Sequence, residues 1–340
     1  MGQKWAQKIQ LGRESTAGTA VAATTIWRGV GGMLKDNTMV TPVDELIGTV
    51  LPTTRNYIGQ YGGALSMAAT PATYEQLPHI FEAAIKTLGT GSSDGVGSGK
   101  IFPYTGPTTS VNTIKTYTIE TGDNQQAEEM DYAFVEKFTL SAERGQAVMV
   151  SADWIGRAVT NTTFTGALSA PTVYEILSNR STFYIDAVGG TIGTTQVSSM
   201  LLGWELSVTT GWRPKWTLDS ESVGGGREFA FHYFDRDSFK GEFTATFEHD
   251  ATAVAQKALF RAGTPRLMRI QIPGAALTTP GTTYTYRTFR VDMAMHYTEW
   301  DVLDSDEGNS IVQVTGRVGY DPTAATGLSF VIVNEASPIP

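Results

Sequence analysis

The chain has 340 residues, of which 25 are lysine or arginine and 34 are aspartate or glutamate, so its formal net charge is −9. This acidic balance argues against a nucleic-acid-binding protein, which usually carries a basic excess. The absence of cysteine excludes disulfides, thiolate metal sites and cysteine nucleophiles. The length suits two domains with a core each. We expect neither a signal peptide nor a transmembrane helix, because no apolar run is long enough for either.

The first 90 residues are predicted to form an arm, three strands and a helix. Residues 1–25 are polar and rich in small side chains. We expect them to form an arm that orders only against a partner, with a frayed terminus as the alternative. Strands are predicted over residues 26–35, 43–51 and 58–69, and apolar side chains at helical spacing predict a helix over residues 77–88.

The remainder of the first half is predicted to alternate between loops and strands. A Gly/Ser-rich stretch favours a flexible loop, and polar stretches favour a hairpin loop and a linker. The predicted elements are the flexible loop 91–99, strands over 114–121, 132–140 and 146–152, the polar loop 122–131, and a linker over 161–172.

The second half is predicted to follow a similar plan around one helix. Asp250 is expected to cap this helix, which ends near Phe260. Its predicted buried stripe consists of Ala251, Val254, Ala255, Ala258 and Leu259. Strands are predicted over residues 182–188, 201–209, 227–234, 239–247, 266–272, 284–300 and 310–318.

The order of features in the first half returns in the second. Val30-Gly-Gly reappears as Val188-Gly-Gly, and the alternating strand that begins at Gly63 reappears at Gly241. Such internal repetition predicts two copies of one unit. With one helix and about seven strands per copy, we predict two tandem β-sandwich or barrel modules, each flanked by one α-helix. The predicted domains are an arm (1–25), module 1 (26–160), a linker (161–172) and module 2 (173–340).

Two acidic clusters stand at similar positions of the predicted modules. They are Glu128-Glu129-Met-Asp131 and Asp304-Ser-Asp306-Glu307. Paired catalytic carboxylates or calcium ligands are conceivable there, although the spacing lacks an EF-hand loop. The favoured interpretation is that both clusters are solvated hairpin loops, or charge that faces a shared channel.

The motifs that could indicate an enzyme lack the neighbouring residues or secondary structure that their function requires. Gly91-Ser-Ser-Asp-Gly95 has the spacing of a nucleophile elbow, but the strand that should precede it and the helix that should follow are not predicted. Gly95-Val-Gly-Ser-Gly-Lys100 departs from the phosphate-binding pattern at both flanking positions. The histidines have no metal-ligand spacing; they are His79, His232, His249 and His296. We therefore expect no enzyme and assign no catalytic, cofactor-binding or metal-binding residue.

Three tryptophans lie close together in the sequence at Trp204, Trp212 and Trp216, with Tyr233 nearby. Aromatic side chains in such a group can form a platform for sugars. Packing in a core or an interface is the more common use of such residues. The group therefore supports an alternative function, a carbohydrate-binding protein of a virion or cell surface.

The order of features in residues 15–90 resembles that of major tail tube proteins of long-flexible-tailed (siphovirus-type) bacteriophages. The resemblance rests on Gly18-Thr-Ala-Val21, on Arg55-Asn-Tyr-Ile-Gly-Gln-Tyr-Gly-Gly-Ala-Leu-Ser-Met67, and on Pro71 with the helix 77–88 and Gly89. Beyond residue 90, the repeat and the strand pattern carry it.

The resemblance implies a structural protein. In this family the sheets of successive modules join into one inner barrel, and members with two fused modules form trimeric rings with pseudo-sixfold symmetry. The rings stack into a tube through which DNA is ejected without specific binding. The implied partners are further copies of the chain, the tape measure protein, and tail terminator and tip proteins. The implied locations are the virion tail and, during assembly, the host cytoplasm.

Contacts between subunits are expected in the N-terminal arm, the loop 90–100 and the two acidic loops. The candidate contact residues are Thr16, Thr19, Val21, Ser92, Asp94, Gly97, Glu128, Glu129, Asp131, Asp304 and Asp306.

Overall fold

The computed structural model describes residues 1–217, 230–231, 233–337 and 339. The chain is mainly β, with 50% of its residues in strands and 8% helical, and its large sheets are antiparallel. The predicted mainly-β class is therefore confirmed.

The first half of the chain holds one α-helix, α1 (Leu77–Ala84), and a short 3-10 helix at Lys4–Ala6. Its strands are β1 (Lys8–Arg13), β2 (Thr25–Trp27), β3 (Lys35–Asp36), β4 (Met39–Pro42), β5 (Asn56–Gln60), β6 (Gly63–Pro71), β7 (Ser92–Ser93), β8 (Lys100–Thr105), β9 (Tyr117–Gly122), β10 (Ala127–Glu143), β11 (Met149–Gly156) and β12 (Val159–Thr162).

The second half holds the helix α2 (Ala251–Arg261) and a 3-10 helix at Ser178–Arg180. Its described strands are β13 (Thr182–Ala187), β14 (Gln196–Val197), β15 (Leu201–Thr209), β16 (Trp212–Lys215), β17 (Tyr233–Arg236), β18 (Lys240–Glu248), β19 (Arg266–Ala276), β20 (Tyr286–Asp306), β21 (Asn309–Gly319) and β22 (Leu328–Asn334).

Each half is organised around one long strand whose N-terminal and C-terminal parts pair with different strands. The N-terminal part of β10 lies between β9 and β12, while its C-terminal part pairs with β11, which in turn pairs with β6. In the second half, the N-terminal part of β20 lies between β19 and β22, and its C-terminal part pairs with β21, which pairs with β18. The strand pairings of the two halves therefore follow the same order.

The correspondence extends to single residues. Val135 lies opposite Trp154 just before a β-bulge in β10, and Tyr297 lies opposite Gly316 just before a β-bulge in β20. The extra residues are Glu136 in the first case and Thr298 in the second. A bulge inserts one unpaired residue and bends its strand. Because the bulge recurs at the same point of both long strands, it aligns the two halves residue by residue around Glu136 and Thr298, without reference to sequence similarity.

One continuous sheet runs through both halves because β10 also pairs with β15. Lys137 to Glu143 lie opposite Thr209 to Gly203 in an unbroken antiparallel register. The strand order of this central sheet is β3–β6–β11–β10–β15–β18–β21–β20. Alternate residues of its strands are buried, so one face of the sheet packs on the core and the other faces solvent.

The helices differ in how they are covered. Every residue of α1 is buried, and Phe81 packs against Phe138 and Phe330. In α2, the carboxylate of Asp250 accepts a hydrogen bond from the Ala253 amide at 2.8 Å, so the predicted cap is confirmed. The predicted buried stripe of α2 is wrong. Its buried residues are Ala253 and Gln256, on another side of the helix.

Several predicted boundaries also need correction. Residues 43–51 form no strand; they connect β4 to β5. Helix α1 stops at Ala84 instead of residue 88. Residues 127–131, predicted to lie in a loop, belong to β10, whose alternation is obscured because its N-terminal part is buried on both faces. The predicted strand 227–234 lies largely outside the described residues.

Candidate assembly surfaces

The solvent-facing side of the central sheet is a broad surface of small polar side chains. Across neighbouring strands, Thr139 lies opposite Ser207, and Thr244 lies opposite Thr315. The hydroxyls of Thr244 and Thr315 are 3.4 Å apart. Apolar side chains on this face are few, because the alternation sends the large ones to the core. Among the described residues, this face is thus mainly polar.

Charges on this face are of both signs, with an excess of acids. Some are neighbours across strands: Glu242 lies opposite Arg317, and Asp153 lies opposite Lys137. Such pairs neutralise one another locally. The acidic residues on the face include Glu143, Asp153, Glu205, Glu242, Glu248 and Glu299, and the basic ones include Lys35, Lys137, Lys240 and Arg317.

One edge of the central sheet is the C-terminal part of β20. Beyond Met295, β20 pairs only with β21 among the strands that the structure describes. Side chains here are open to solvent, with Val302 80% and Leu303 48% exposed. At the corresponding place in β10, Leu140 is fully buried because β15 covers that edge. An unpaired edge of this kind presents free backbone groups that can recruit another strand.

The opposite edge of the sheet is the segment 33–38, which includes β3. β3 pairs with β6, and in the described residues no strand covers its other side. The hairpin β4–β5 follows, and its connecting loop carries exposed apolar side chains, which is unusual for a surface loop of a monomer. Those most exposed are Leu46, Ile47, Val50 and Leu51.

Helix α2 adds a third uncovered apolar surface. Four of the five residues of the stripe that was predicted to be buried are exposed, among them Val254 at 52%, and Leu259 is half-buried. In the first half, α1 has no such surface because strand β8 and residues of the second half cover it. Trp212, which starts the hairpin β16–β17, donates a hydrogen bond from its indole nitrogen to the Ala84 carbonyl at 2.9 Å.

The N-terminal segment is held by the chain itself, which corrects the expectation of an arm that orders only against a partner. β1 lies between β2 and β9. The buried carboxylate of Glu14 accepts hydrogen bonds from the amides of Gly18 and Tyr132 and from the hydroxyls of Thr116 and Thr118. Burial raises the pKa of Glu14 above its usual value although these donors oppose the shift.

The candidate contact residues in this segment differ in accessibility. Thr16 and Thr19 are exposed, while Val21 is half-buried and its amide donates to the Thr118 hydroxyl at 3.0 Å. Thr16 and Thr19 therefore remain accessible on the surface of the chain.

The loop 90–100 is tied to the second half by Asp94. Its carboxylate, which is buried, accepts hydrogen bonds from the amides of Thr283 and Tyr284 at 2.9 and 2.7 Å. Burial opposes ionisation, but these amides outweigh it and hold the pKa of Asp94 below its usual value. Asp94 thus acts within the chain, whereas Ser92 is exposed and Gly97 half-buried.

The acidic clusters lie in strands, not in the predicted loops. Glu128, Glu129 and Asp131 belong to β10, and Asp131 pairs with Arg157 at 2.7 Å in a buried position. Asp304 and Asp306 belong to the end of β20, and Asp306 bonds to Arg144.

The aromatic residues considered for sugar binding are divided between core and surface. Trp204 and Trp212 are buried, so neither presents a ring face to solvent. Trp216 and Tyr233 are 41% and 50% exposed. Trp212 packs with Tyr132, Phe134 and Phe231, which accounts for the aromatic grouping in the sequence.

The residues considered for chemistry are dispersed. His79 is buried, and its Nδ1 lies 3.2 Å from the Tyr117 hydroxyl. His232 lies outside the described residues. Over the described ranges no three His, Asp or Glu side chains converge as a metal site would require, and no helix there is long and apolar enough to cross a membrane.

Comparison with known proteins finds no family model that matches the chain, and no match among curated proteins.

Proposed function

We propose that the protein is a structural subunit of a bacteriophage tail tube, composed of two tandem β-sandwich modules that join head to tail. The proposal rests on the resemblance of residues 15–90 and on the equivalent strand pairing of the two halves. It assigns no catalytic residue, and the chain acts by self-assembly.

The observation that carries the proposal is the β10–β15 pairing. It joins the end of one module to the start of the next within a single chain, and it buries Leu140 and Leu206 completely. Among the described residues, the central sheet is left with an uncovered edge on each side, β3 on one side and the C-terminal part of β20 on the other. A contact between two different surfaces of identical copies repeats, and it closes into a ring when the rotation permits. By resemblance, three copies form a ring of six modules.

In such a ring, the polar face of the central sheet would line the channel. DNA carries dense negative charge, and clusters of lysine and arginine would bind its phosphates. Small hydroxyl side chains with an excess of carboxylates suit a wall along which DNA passes without binding. The exposed loop of the hairpin β4–β5, the stripe of α2, and Thr16 and Thr19 are then available for contacts within and between rings.

The proposal is tested by negative-stain electron microscopy of the purified protein at rising concentration with gentle warming. Hollow tubes of uniform width with threefold ring averages are expected. A protein that stays monomeric under all conditions, by light scattering, would contradict the proposal. The carbohydrate-binding alternative would then be tested on a glycan array, with Trp216→Ala and Tyr233→Ala as the matched variants.

A further inference from the structure

We infer that residues 33–38 of one copy pair with residues 297–303 of a second copy, in a register fixed by Thr38. This inference rests on the proposed self-assembly and goes beyond it, because it specifies which residues meet and what holds them in place. It rests on the β10–β15 pairing, which is the completed joint inside the chain, and on the two uncovered edges, β3 and the C-terminal part of β20.

In the completed joint, Thr210 binds the bulge of β10. Its amide donates to the Glu136 carbonyl at 2.9 Å, and its hydroxyl lies 2.8 Å from the carbonyl oxygens of both Val135 and Glu136. A bulge interrupts the ladder and leaves carbonyl groups without strand partners. Thr210 satisfies them, and because a bulge occurs only once along the joint, this contact also selects a single register.

The edge of β20 carries the same bulge without such a partner strand. Thr298 is the extra residue there, as Glu136 is in β10. Across the parts of the chain that the structure describes, the side of β20 away from β21 is uncovered at this point. The carbonyls of Tyr297 and Thr298 are thus the counterparts of those that Thr210 binds.

Thr38 is the counterpart of Thr210. Val208 lies opposite Gly241 and precedes Thr210 by two residues; Asp36 lies opposite Gly63 and precedes Thr38 by two residues. Gly63 and Gly241 begin the equivalent stretches of β6 and β18, so both threonines fall at the same place relative to the sheet.

The backbone of this segment is oriented to accept a further strand. The Asn37 amide donates to the Gly62 carbonyl at 2.8 Å, toward β6. Because successive residues of a strand direct their amides to opposite sides, the Thr38 amide points to the uncovered edge. In the single chain, the amide and hydroxyl of Thr38 instead donate to the Asp36 carboxylate, at 2.8 and 2.5 Å.

The remaining residues of the joint follow from this register. Lys137 opposite Thr209 becomes Glu299 opposite Asn37. The register of β20 against β21 shifts a second time between Trp300 and Leu303, so Leu140 opposite Leu206 becomes Leu303 opposite Leu34 with this extra residue of β20 between the two pairs. The second match brings together two apolar side chains of which Leu303 is 48% exposed in the single chain.

One position departs from the pattern, since Asp36 stands where the second half has the buried Val208. In the single chain, the Asp36 carboxylate binds Thr38 and satisfies its donors. When copies join, Thr38 must exchange this carboxylate for the bulge carbonyls. We therefore expect Asp36 to slow joining.

Disulfide cross-linking tests the register, since the chain has no cysteine of its own. In an antiparallel ladder, directly opposed residues of a non-hydrogen-bonded pair approach closely enough for a disulfide. Asn37→Cys combined with Glu299→Cys should give covalent oligomers on mild oxidation. Asn37→Cys combined with Asp301→Cys is the control displaced along the strand. Lys137→Cys with Thr209→Cys is the intrachain control and should cross-link in the monomer.

Three further variants test the roles of Thr38 and Asp36. Thr38→Val should reduce assembly at least tenfold in rate, Thr38→Ser should retain it, and Asp36→Val should accelerate it. Tubes with efficient cross-linking only at the displaced pair, or with equal rates for Thr38→Val and wild type, would overturn the inferred register while leaving the proposed function intact. Failure of the wild type to assemble would overturn both.

Discussion

The indole nitrogen of Trp212 donates a hydrogen bond of 2.9 Å to the carbonyl of Ala84, linking the hairpin β16–β17 of the second half to the C-terminal end of α1 in the first. Trp212 is also packed by Phe134 and Phe231 and is only 3% exposed. One side chain thus fills a core between the halves and satisfies a terminal helix carbonyl, a group that has no partner within its own helix.

We expect Trp212→Ala to destabilise the chain by about 3–5 kcal/mol, the usual cost of deleting a large buried aromatic side chain. Trp212→Phe should cost less, because it keeps an aromatic side chain and loses mainly the hydrogen bond. Denaturant unfolding followed by circular dichroism measures both. Similar, small losses for the two variants would mean that the hairpin contributes little to holding the halves together.

The stripe on α2 should act in assembly and not in folding. At the position that corresponds to Trp212, the hairpin β4–β5 carries Val40, which is 54% exposed. In the proposed assembly, Val40 would face α2 of a second copy. Val254→Lys places a charge in that contact. We expect tube formation to fall sharply while the melting temperature of the monomer stays within a few degrees. Val254→Ala, which keeps the stripe apolar, is the matched control; loss of tubes in both variants would argue against this contact.

The N-terminal segment divides into a dispensable part and an essential one. Deleting residues 1–7 should leave the melting temperature nearly unchanged, since they precede β1. Glu14→Ala should destabilise the chain by about 1–3 kcal/mol or more, because buried donors are left unpaired. Thermal unfolding of both variants gives the comparison. A large fall in melting temperature from the deletion of residues 1–7 alone would show that this short segment, and not Glu14, stabilises the chain.

How far the sequence predicts this structure depends on what each pattern reports. The strand β15 has the predicted bounds, Leu201–Thr209. One face of this strand is buried and the other faces solvent, so its apolar and polar residues alternate in the sequence. The prediction that the apolar stripe of α2 is buried is wrong for a physical reason. Apolar periodicity marks a face that avoids water, but it does not say whether that face is covered by the same chain or by another.

The joint itself could not be read from the sequence. Thr38 and Thr210 are ordinary threonines, and only the pairing of β3 with β6 and of β15 with β18 shows that they are equivalent. The prediction that the carboxylates of residues 128–131 mark a loop is wrong for a related reason. Asp131 is buried and paired with Arg157, a residue distant in sequence. Long-range pairs of this kind leave no local pattern.

Stability should decline in acid partly because of His79. Burial, with a smaller contribution from the charge of Arg13, lowers the pKa of His79 to about 3. As the pH falls below about 6.5, the unfolded chain binds a proton at this histidine that the folded chain does not, so the free energy of unfolding decreases. His79→Gln removes this titratable group and with it this dependence of stability on pH. The wild type should lose about 1.4 kcal/mol per pH unit more than the variant between pH 6 and 4. Parallel pH profiles would show that His79 is protonated in the folded chain.

The polar face of the central sheet should govern whether DNA is held in an assembled tube. Glu205 lies on this face opposite Ser141 and Thr244, with no basic residue directly across from it. Glu205→Lys would place an unneutralised cation there, repeated in every copy along the wall. We expect tubes of this variant to retain DNA at low salt and to release it as salt rises, because each phosphate contact displaces counterions. Wild-type tubes should not retain it.

Glu205→Gln removes the charge without adding a cation, so it separates loss of repulsion from gain of binding. DNA retention is measured by co-sedimentation with tubes at two salt concentrations. Equal retention by wild type and Glu205→Lys would place this face outside the path of the DNA.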